Sequence, residues 1–211
     1  IKLNQKKIKF FNAGSSECFG NTNKIIANEK TVFSPRSPYA TAKATAFWIV
    51  SNYRESYNLF CCTGILGNHE SPLRKKRFVT KKIVSGVWDI VCKKSNELRL
   101  GNLDTWRDWG WAPEYVEAMY LIMHSPEPED YIIATGVTNS LKDFVSMAFK
   151  KFDLDESKFV IYDEKLMRPS DIKYSFLDPT KIHKNLNWKS QKNLVNIIDS
   201  MFDEFTNLGL D

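Results

Sequence analysis

A short apolar run near the start of the chain, together with the polar residues after it, constrains the fold more than any other feature. Residues 8–13 read IKFFNA and stop at Gly14, which is typical of a strand in a parallel sheet. The polar residues Ser15, Ser16 and Glu17 follow directly. Because open α/β sheets bind their ligands at the carboxyl ends of the strands, we expect these side chains to lie at a binding site.

A helix that carries a tyrosine and a lysine is predicted further along, over residues 38–57. Ser37 is a favoured N-cap residue, and Pro38 suits the first helical position. Tyr39 and Lys43 are four residues apart, so they share one face of this helix. A lysine ammonium next to a phenol lowers the pKa of the phenol from about 10. Tyr39 could then accept a proton from an alcohol.

The polar residues after the strand add two groups to this chemistry. Ser15 can hydrogen-bond the oxygen of the reacting alcohol, and Glu17 is a second base. Oxidation of an alcohol does not need a second base, so Glu17 indicates removal of a carbon-bound proton and hence an elimination. The spacing of Tyr39 and Lys43 also occurs by chance on helices where the tyrosine only packs. The spacing alone therefore leaves a structural role open, and the SSE and SPY sequences beside it favour catalysis.

These motifs carry a resemblance to a known family. SSECFG at residues 15–20, followed by SPRSPYATAK at residues 34–43, resembles the extended short-chain dehydrogenase/reductase superfamily. Three later stretches narrow the resemblance to the GDP-mannose 4,6-dehydratase family: NHESPLRKKRFVTKKI at 68–83, GNLDTWRDWGWAPEYVEAMY at 101–120 and LNWK at 186–189. The resemblance extends from about residue 10 to about residue 201.

The resemblance implies an α/β fold: the C-terminal part of a Rossmann-like doubly wound parallel sheet, plus a smaller α/β substrate-binding part. Residues 1–67 are expected to form the later part of the NADP-binding domain. Residues 68–211 are expected to bind mainly the nucleotide sugar, interleaved with returning Rossmann elements. The sequence has no GxxGxxG turn, which the family carries upstream of the SSE motif. We therefore expect an N-terminally truncated piece that is inactive alone.

The activity implied is conversion of GDP-mannose to GDP-4-dehydro-6-deoxy-mannose and water, on the way to GDP-fucose, with tightly held NADP as internal hydride carrier. Tyr39 and Lys43 contact NADP and act at the 4-hydroxyl, Glu17 takes the C5 proton, and Ser15 orients the 4-oxygen. A cytoplasmic homo-oligomer, dimer or tetramer, is expected. Two alternatives stay open: another nucleotide-sugar dehydratase or epimerase of the superfamily, or an inactive nucleotide-sugar-binding fragment.

The same resemblance implies the binding residues. His69 and Arg74 are expected to contact NADP. The implied substrate-binding residues are Asn68, Val79, Lys82, Gly101, Asn102, Arg107, Arg168 and Asp171. Leu73 and Lys75 depart from the family pattern ESPRRG, and Asp171 stands where the family commonly has a ribose- or base-binding Glu.

Hydrophobic periodicity predicts the remaining elements. The predicted strands cover residues 59–66, 98–100, 131–136 and 159–162, and the predicted helices cover residues 77–94, 112–124, 141–152, 178–186 and 191–206. Ser140 and Asp143 are spaced as a capping box. Residues 105–111 read TWRDWGW and are interpreted as a turn-like segment at a nucleotide site, with tryptophans packed under a loop as the alternative. Lys81 could reach a phosphate or lie on a solvated helix face.

Composition leaves few other classes open. The net charge of +5 suits an anionic ligand. The basic residues between 74 and 82 leave nucleic-acid binding as a weak alternative, and we predict no nucleic-acid partner. No apolar stretch reaches about 18 residues, so no membrane span is predicted. The four cysteines lack metal-ligand spacing, which predicts reduced thiols in a cytoplasmic protein and no bound metal.

Overall fold

The computed structural model describes residues 8–23, 25–167 and 170–207. The strands are β1 Phe10–Ala13, β2 Cys61–Leu66, β3 Asn68–Glu70, β4 Leu98–Leu100, β5 Trp106–Trp111, β6 Tyr131–Ile133, β7 Thr138–Ser140 and β8 Val160–Tyr162. The α-helices are α1 Pro38–Tyr57, α2 Val79–Val91, α3 Ala112–His124, α4 Leu141–Lys150, α5 Thr180–Leu186 and α6 Leu194–Asn207. Within these ranges, no helix is both long and apolar enough to cross a membrane.

The first sheet has the order β1-β2-β6, and its strands are parallel. Every residue of β2 is buried, as the unbroken apolar run predicted. Gly14 follows β1 and hydrogen-bonds through its amide to the Gly64 carbonyl at 2.8 Å. A Cβ on Gly14 would lie 2.9 Å from that carbonyl oxygen, so the close approach of the two chains requires glycine there.

The second sheet has the order β3-β5-β7, and it begins one residue after the first sheet ends. β3 is parallel to β5, with Asn68 opposite Trp109, and β7 is antiparallel to β5. Only Gly67 separates β2 from β3, so the predicted domain boundary between residues 67 and 68 falls between two consecutive strands. That boundary stays a prediction.

The turn-like interpretation of residues 105–111 is wrong, because Trp106–Trp111 is the central strand of the second sheet. Its aromatic residues favour a strand, and both of its edges are paired. The remaining predicted elements are confirmed with ends shifted by a few residues. The capping box at Ser140 and Asp143 is also present.

The described hydrophobic core lies in three clusters. One packs α2, α4 and α6 with Trp109 of β5, and a second packs the first sheet with α3 and α5. A third packs Phe19 and Leu177 with Ile65 and Ile132 of the first sheet. Lys81 of α2 is not on a solvated face: it is 4% exposed, donates to the carbonyl of Pro72 and forms an ion pair with Glu204 of α6. The partner of Lys81 comes from α6, which is remote in sequence, so the sequence of α2 alone could not predict this ion pair.

A partly buried ion pair joins the end of α1 to the first sheet. Both guanidinium nitrogens of Arg54 donate to the carboxylate of Asp130, at 2.8 and 2.6 Å, and Arg54 also donates to the carbonyl of Cys61. Asp130 in turn accepts from the amide of Thr63 at 2.7 Å. The two side chains are 18% and 12% exposed. One carboxylate thus connects α1, β2 and the start of β6.

We expect Asp130→Ala to lower the free energy of unfolding by about 3 kcal/mol, because it leaves the Arg54 charge partly buried without its partner. Asp199→Ala is the matched control. Asp199 pairs with Lys151 at the surface, and exposed pairs contribute less than about 1 kcal/mol. Urea unfolding of both variants measures the difference, and equal losses would contradict the structural role given to Asp130.

Candidate active site

The residues after β1 fold into a short 3-10 helix, Ser16–Phe19. Ser15 caps it: its Oγ accepts a hydrogen bond from the amide of Glu17 at 3.2 Å. Ser15 is 7% exposed, whereas Glu17 is exposed. A hydroxyl that accepts from an amide keeps its own proton for donation, so Ser15 can still donate to a ligand oxygen at this edge of the sheet.

The start of α1 packs against this 3-10 helix. Ser37 caps α1, with its Oγ accepting from the Ala40 amide at 3.0 Å. The thiol of Cys18 lies 3.7 Å from the carbonyl oxygen of Ala40. Glu17 directly precedes Cys18 in the chain, and Tyr39 directly precedes Ala40. The structure therefore brings the two predicted catalytic segments together.

Lys43 anchors the same helix to the end of β1. Its Nζ donates to the carbonyl of Ala13 at 2.8 Å and lies 5.7 Å from the centre of the Tyr39 ring. Tyr39 is 52% exposed, so its side chain is not committed to the core. The phenol, the ammonium and the carboxylate of Glu17 all lie at the carboxyl end of β1, where a ligand can reach them.

A second group of side chains follows β2 at the same edge. The ring of His69 of β3 lies 5.3 Å from that of Tyr115 of α3, tilted by 41°, and its Nδ1 lies 2.9 Å from the carbonyl oxygen of Gly67. Since a carbonyl only accepts, Nδ1 carries the proton and Nε2 is the acceptor of the neutral ring. Burial lowers the pKa of His69, which favours that neutral form.

A buried carboxylate holds Arg74 beside this group. Glu70 is 1% exposed, its Oε2 accepts from the hydroxyl of Thr80 at 2.9 Å, and Arg74 Nε lies 3.1 Å from the same oxygen. The guanidinium carbon of Arg74 lies 4.0 Å from the centre of the Phe78 ring. Burial raises the pKa of Glu70 to about 7, although Arg74 opposes that shift. The guanidinium of Arg74 is thus held at its Nε edge by Glu70 and on one planar face by the Phe78 ring.

The predicted nucleotide residues are only partly brought together. Arg107 and Asp171 form an ion pair, with Nη2 and Oδ1 3.2 Å apart. Asn102 caps its own turn, since its Oδ1 accepts from the amide of Asp104. The other predicted residues are spread over neighbouring elements: Asn68 in β3, Val79 and Lys82 in the first turns of α2, and Gly101 after β4. Arg168 lies outside the described residues.

Sequence reasoning gave no role to three buried polar residues of this region: Glu70, Asp108 and Tyr115. Asp108 of β5 is 1% exposed and accepts from the amides of Thr135 and Gly136 at 2.9 and 2.7 Å. Burial raises its pKa to about 6 against those hydrogen bonds. The sequence did contain a signal for Asp108: it lies among the tryptophans of TWRDWGW. A carboxylate buried among such residues needs hydrogen-bond donors.

Two cavities lie among the described residues. A cavity of about 410 Å³ lies between α2 and the 152–159 segment, and one of about 80 Å³ lies beside α5. Neither is lined by Tyr39, Glu17 or Arg107. The chemistry at the strand ends, rather than the cavity volume, identifies the candidate site.

The fold and this edge define the class: an α/β protein with a parallel sheet that gathers polar side chains at the carboxyl ends of its strands. The structure matches that of dTDP-glucose 4,6-dehydratase from Bacillus anthracis with a TM-score of 0.84, at 17% identity, over 96% of this chain and 63% of the other. It matches RMD from Pseudomonas aeruginosa, in complex with NADPH, with a TM-score of 0.86, at 16% identity, over 95% and 67%. At these identities the likeness shows the fold.

The chain belongs to the GDP-mannose 4,6 dehydratase family, whose sequence model matches residues 1–201. It is 41% identical over 214 residues to the GDP-mannose 4,6 dehydratase of Dictyostelium discoideum, covering 93% of this chain and 60% of the relative. It is 44% identical over 199 residues to that of Homo sapiens, covering 86% and 54%. The chain therefore spans little more than half the length of these relatives.

Replacing the buried carboxylate of this site should change how stability depends on pH. The pKa of Glu70 is raised from its ordinary 4.5 to about 7, so the folded protein holds this proton more tightly than the unfolded chain. Its stabilising effect is full below pH 4.5 and is lost as the pH rises to about 7. Glu70→Gln removes that loss, which amounts to at most about 3 kcal/mol.

Urea unfolding of the native protein and the Glu70→Gln variant at pH 5, 6 and 8 measures this effect. We expect the variant to gain stability relative to the native protein as the pH rises. A constant difference between the two proteins across that range would contradict the raised pKa.

Proposed function

We propose that this chain is the part of a GDP-mannose 4,6-dehydratase that carries its catalytic acid and base and its nucleotide-sugar site. The reaction converts GDP-mannose to GDP-4-dehydro-6-deoxy-mannose and water. One observation carries the proposal: the helix turn with Glu17 packs on the start of α1, which bears Tyr39 and Lys43, at the carboxyl end of β1. The names of the relatives agree with it.

NADP is the proposed cofactor, and the described residues fit it. Lys43 and Arg74 supply positive charge at the strand ends, and His69 offers a neutral Nε2. In the described part of the chain, no hydrogen bond engages the terminal nitrogens of Arg74, which suits an anionic group. NADP, when bound, would accept a hydride from the sugar at C4 and return it at C6.

The chain's own residues would move the protons. Tyr39, with Lys43 favouring its phenolate, would take the proton of the 4-hydroxyl, and Ser15 would donate to the 4-oxygen. The ketone formed there acidifies the neighbouring C5 hydrogen, which Glu17 would remove. Glu17 would then give this proton to the departing 6-hydroxyl, so that water leaves. When the hydride is returned at C6, C5 needs a proton, and Tyr39 would give back the one it took from the 4-hydroxyl, so that the protons balance.

We propose that the implied substrate-binding residues hold the GDP portion. Arg107 and Asp171, which already contact each other, are the best supported of them. We also propose a cytoplasmic location, which the four unpaired cysteines favour, and a homo-oligomer of full-length chains. Exposed aromatic side chains on α1, Trp48 and Tyr57, support the latter.

An epimerase of the same fold is the second candidate, because UDP-sugar 4-epimerases are among the structures that match this fold. Glu17 favours the dehydratase. Epimerisation breaks no carbon–oxygen bond, so it has no use for a second base that protonates a leaving hydroxyl. The exposed carboxylate beside the start of α1 is therefore the feature that separates the two.

In a protein with the full length of the relatives, we expect Glu17→Gln to lower dehydration by at least about 100-fold, since a general acid–base group contributes about that much or more. Tyr39→Phe should be equally damaging because it removes the first base. Release of the 4-dehydro-6-deoxy sugar, followed by mass spectrometry, measures both variants.

Glu55→Gln is the matched control, since Glu55 lies near the far end of α1, where its carboxylate accepts from the hydroxyl of Ser51. It should turn over as the native enzyme does. Undiminished turnover by Glu17→Gln would remove Glu17 from the mechanism, and epimerised substrate in place of the dehydrated product would favour the second candidate.

We expect the full-length protein to bind GDP at least about tenfold more tightly than dTDP, a difference of about 1.4 kcal/mol. The family identifies guanine as the base, whereas the fold alone does not choose between nucleotides. Isothermal titration with the two diphosphates tests this. Tighter binding of dTDP would assign the chain another nucleotide sugar.

A further inference from the structure

The guanidinium of Arg107 is held from two sides. Its Nη1 donates to the carbonyl of Trp106 at 2.9 Å and to the carbonyl of Lys173 at 3.4 Å. Its Nη2 donates to the carboxylate of Asp171 at 3.2 Å. The Arg107 side chain is 17% exposed and that of Asp171 is 30% exposed. Two backbone carbonyls therefore fix the guanidinium even without the carboxylate.

The segment that carries Asp171 is itself fixed to β5. The amide of Trp106 donates to the carbonyl of Lys173 at 2.8 Å, and the amide of Ser175 donates to the carbonyl of Trp106 at 3.1 Å. Lys173 also pairs with Asp104 at 2.6 Å. Backbone bonds thus set the distance between residue 171 and Arg107.

The same segment is tied on its other side to the loop that follows Glu17. Thr22 donates through its amide to the carbonyl of Tyr174 at 3.0 Å, and the Tyr174 amide donates to Asn21 Oδ1 at 3.1 Å. Residues 171–174 are therefore held between two elements of the proposed site. An aspartate in this position reaches Arg107, whereas a glutamate would extend about 1.5 Å further.

We propose that Asp171 sets the affinity for the nucleotide through Arg107, by competing with the diphosphate for the guanidinium, and that it does not bind the ribose or the base. This inference rests on the proposed function, in which Arg107 binds the diphosphate of GDP. Asp171 is accordingly a positioning and specificity-determining residue rather than a direct ligand.

The sign of the effect follows from charge. An ionised Asp171 occupies a donor of Arg107 and repels an incoming diphosphate, so its removal should favour GDP on both counts. The opposing effect, a less ordered Arg107, is small because the carbonyls of Trp106 and Lys173 still hold Nη1. A guanosine without phosphates should not respond, because it does not use Arg107.

The test is Asp171→Asn in the full-length protein, titrated with GDP and with guanosine. We expect the variant to bind GDP about two- to fivefold more tightly, the factor that corresponds to a solvent-accessible ion pair of up to about 1 kcal/mol, with the guanosine affinity unchanged. Asp104→Asn is the matched control: it removes the same charge from the loop before β5, where Asp104 pairs with Lys173, and the GDP affinity of this variant should match that of the native protein.

Weaker or unchanged binding of GDP by Asp171→Asn would overturn the proposal, and a parallel loss of guanosine affinity would assign Asp171 to the ribose or base. An equal gain in Asp104→Asn would also overturn it, because the effect would then be general to the local charge. Arg107→Gln separates a failure of this proposal from a failure of the proposed function. If the native protein does not bind GDP, or if Arg107→Gln binds GDP as tightly as the native protein does, it is the proposed function that fails.

Discussion

The parallel pairing of β1 with β2 is the constraint on which the candidate site depends. Parallel strands place their carboxyl ends at one edge of a sheet, and the bond from the Gly14 amide to the Gly64 carbonyl closes that edge. The Ser15–Glu17 turn and β3 both begin there. Lys43 then bonds to the last carbonyl of β1. The distant segments of the chain therefore meet because two strand ends coincide.

Three carboxylates, two buried and one partly buried, connect that edge to the rest of the molecule. Asp130 joins α1 to β2, Asp108 joins β5 to the loop after β6, and Glu70 joins β3 to α2. Each accepts hydrogen bonds from a neighbouring element, which offsets the cost of burying it. Because their partners come from other parts of the chain, these contacts fix the relative placement of the two sheets and their helices.

The nucleotide side of the site is organised by β5 rather than by a loop. Because residues 106–111 form the central strand of the second sheet, Arg107 stands at a fixed position opposite residue 139. The 171–175 segment then pairs with the start of that strand, at Trp106. Backbone hydrogen bonds thus hold Arg107 and Asp171 within reach of each other, and a ligand that binds Arg107 has to compete with Asp171.

The sequence by itself determined the elements, the family and the edge where chemistry is expected, since periodicity, N-caps and motifs are local. It placed Ser15, Glu17, Tyr39 and Lys43 at strand and helix ends, where the structure has them. Only the tertiary structure decided that TWRDWGW is a strand, that Lys81 is buried against Glu204, and that Asp171 pairs with Arg107. The reason is that a strand, a buried charge or an ion pair is completed by partners remote in sequence, which no local pattern specifies.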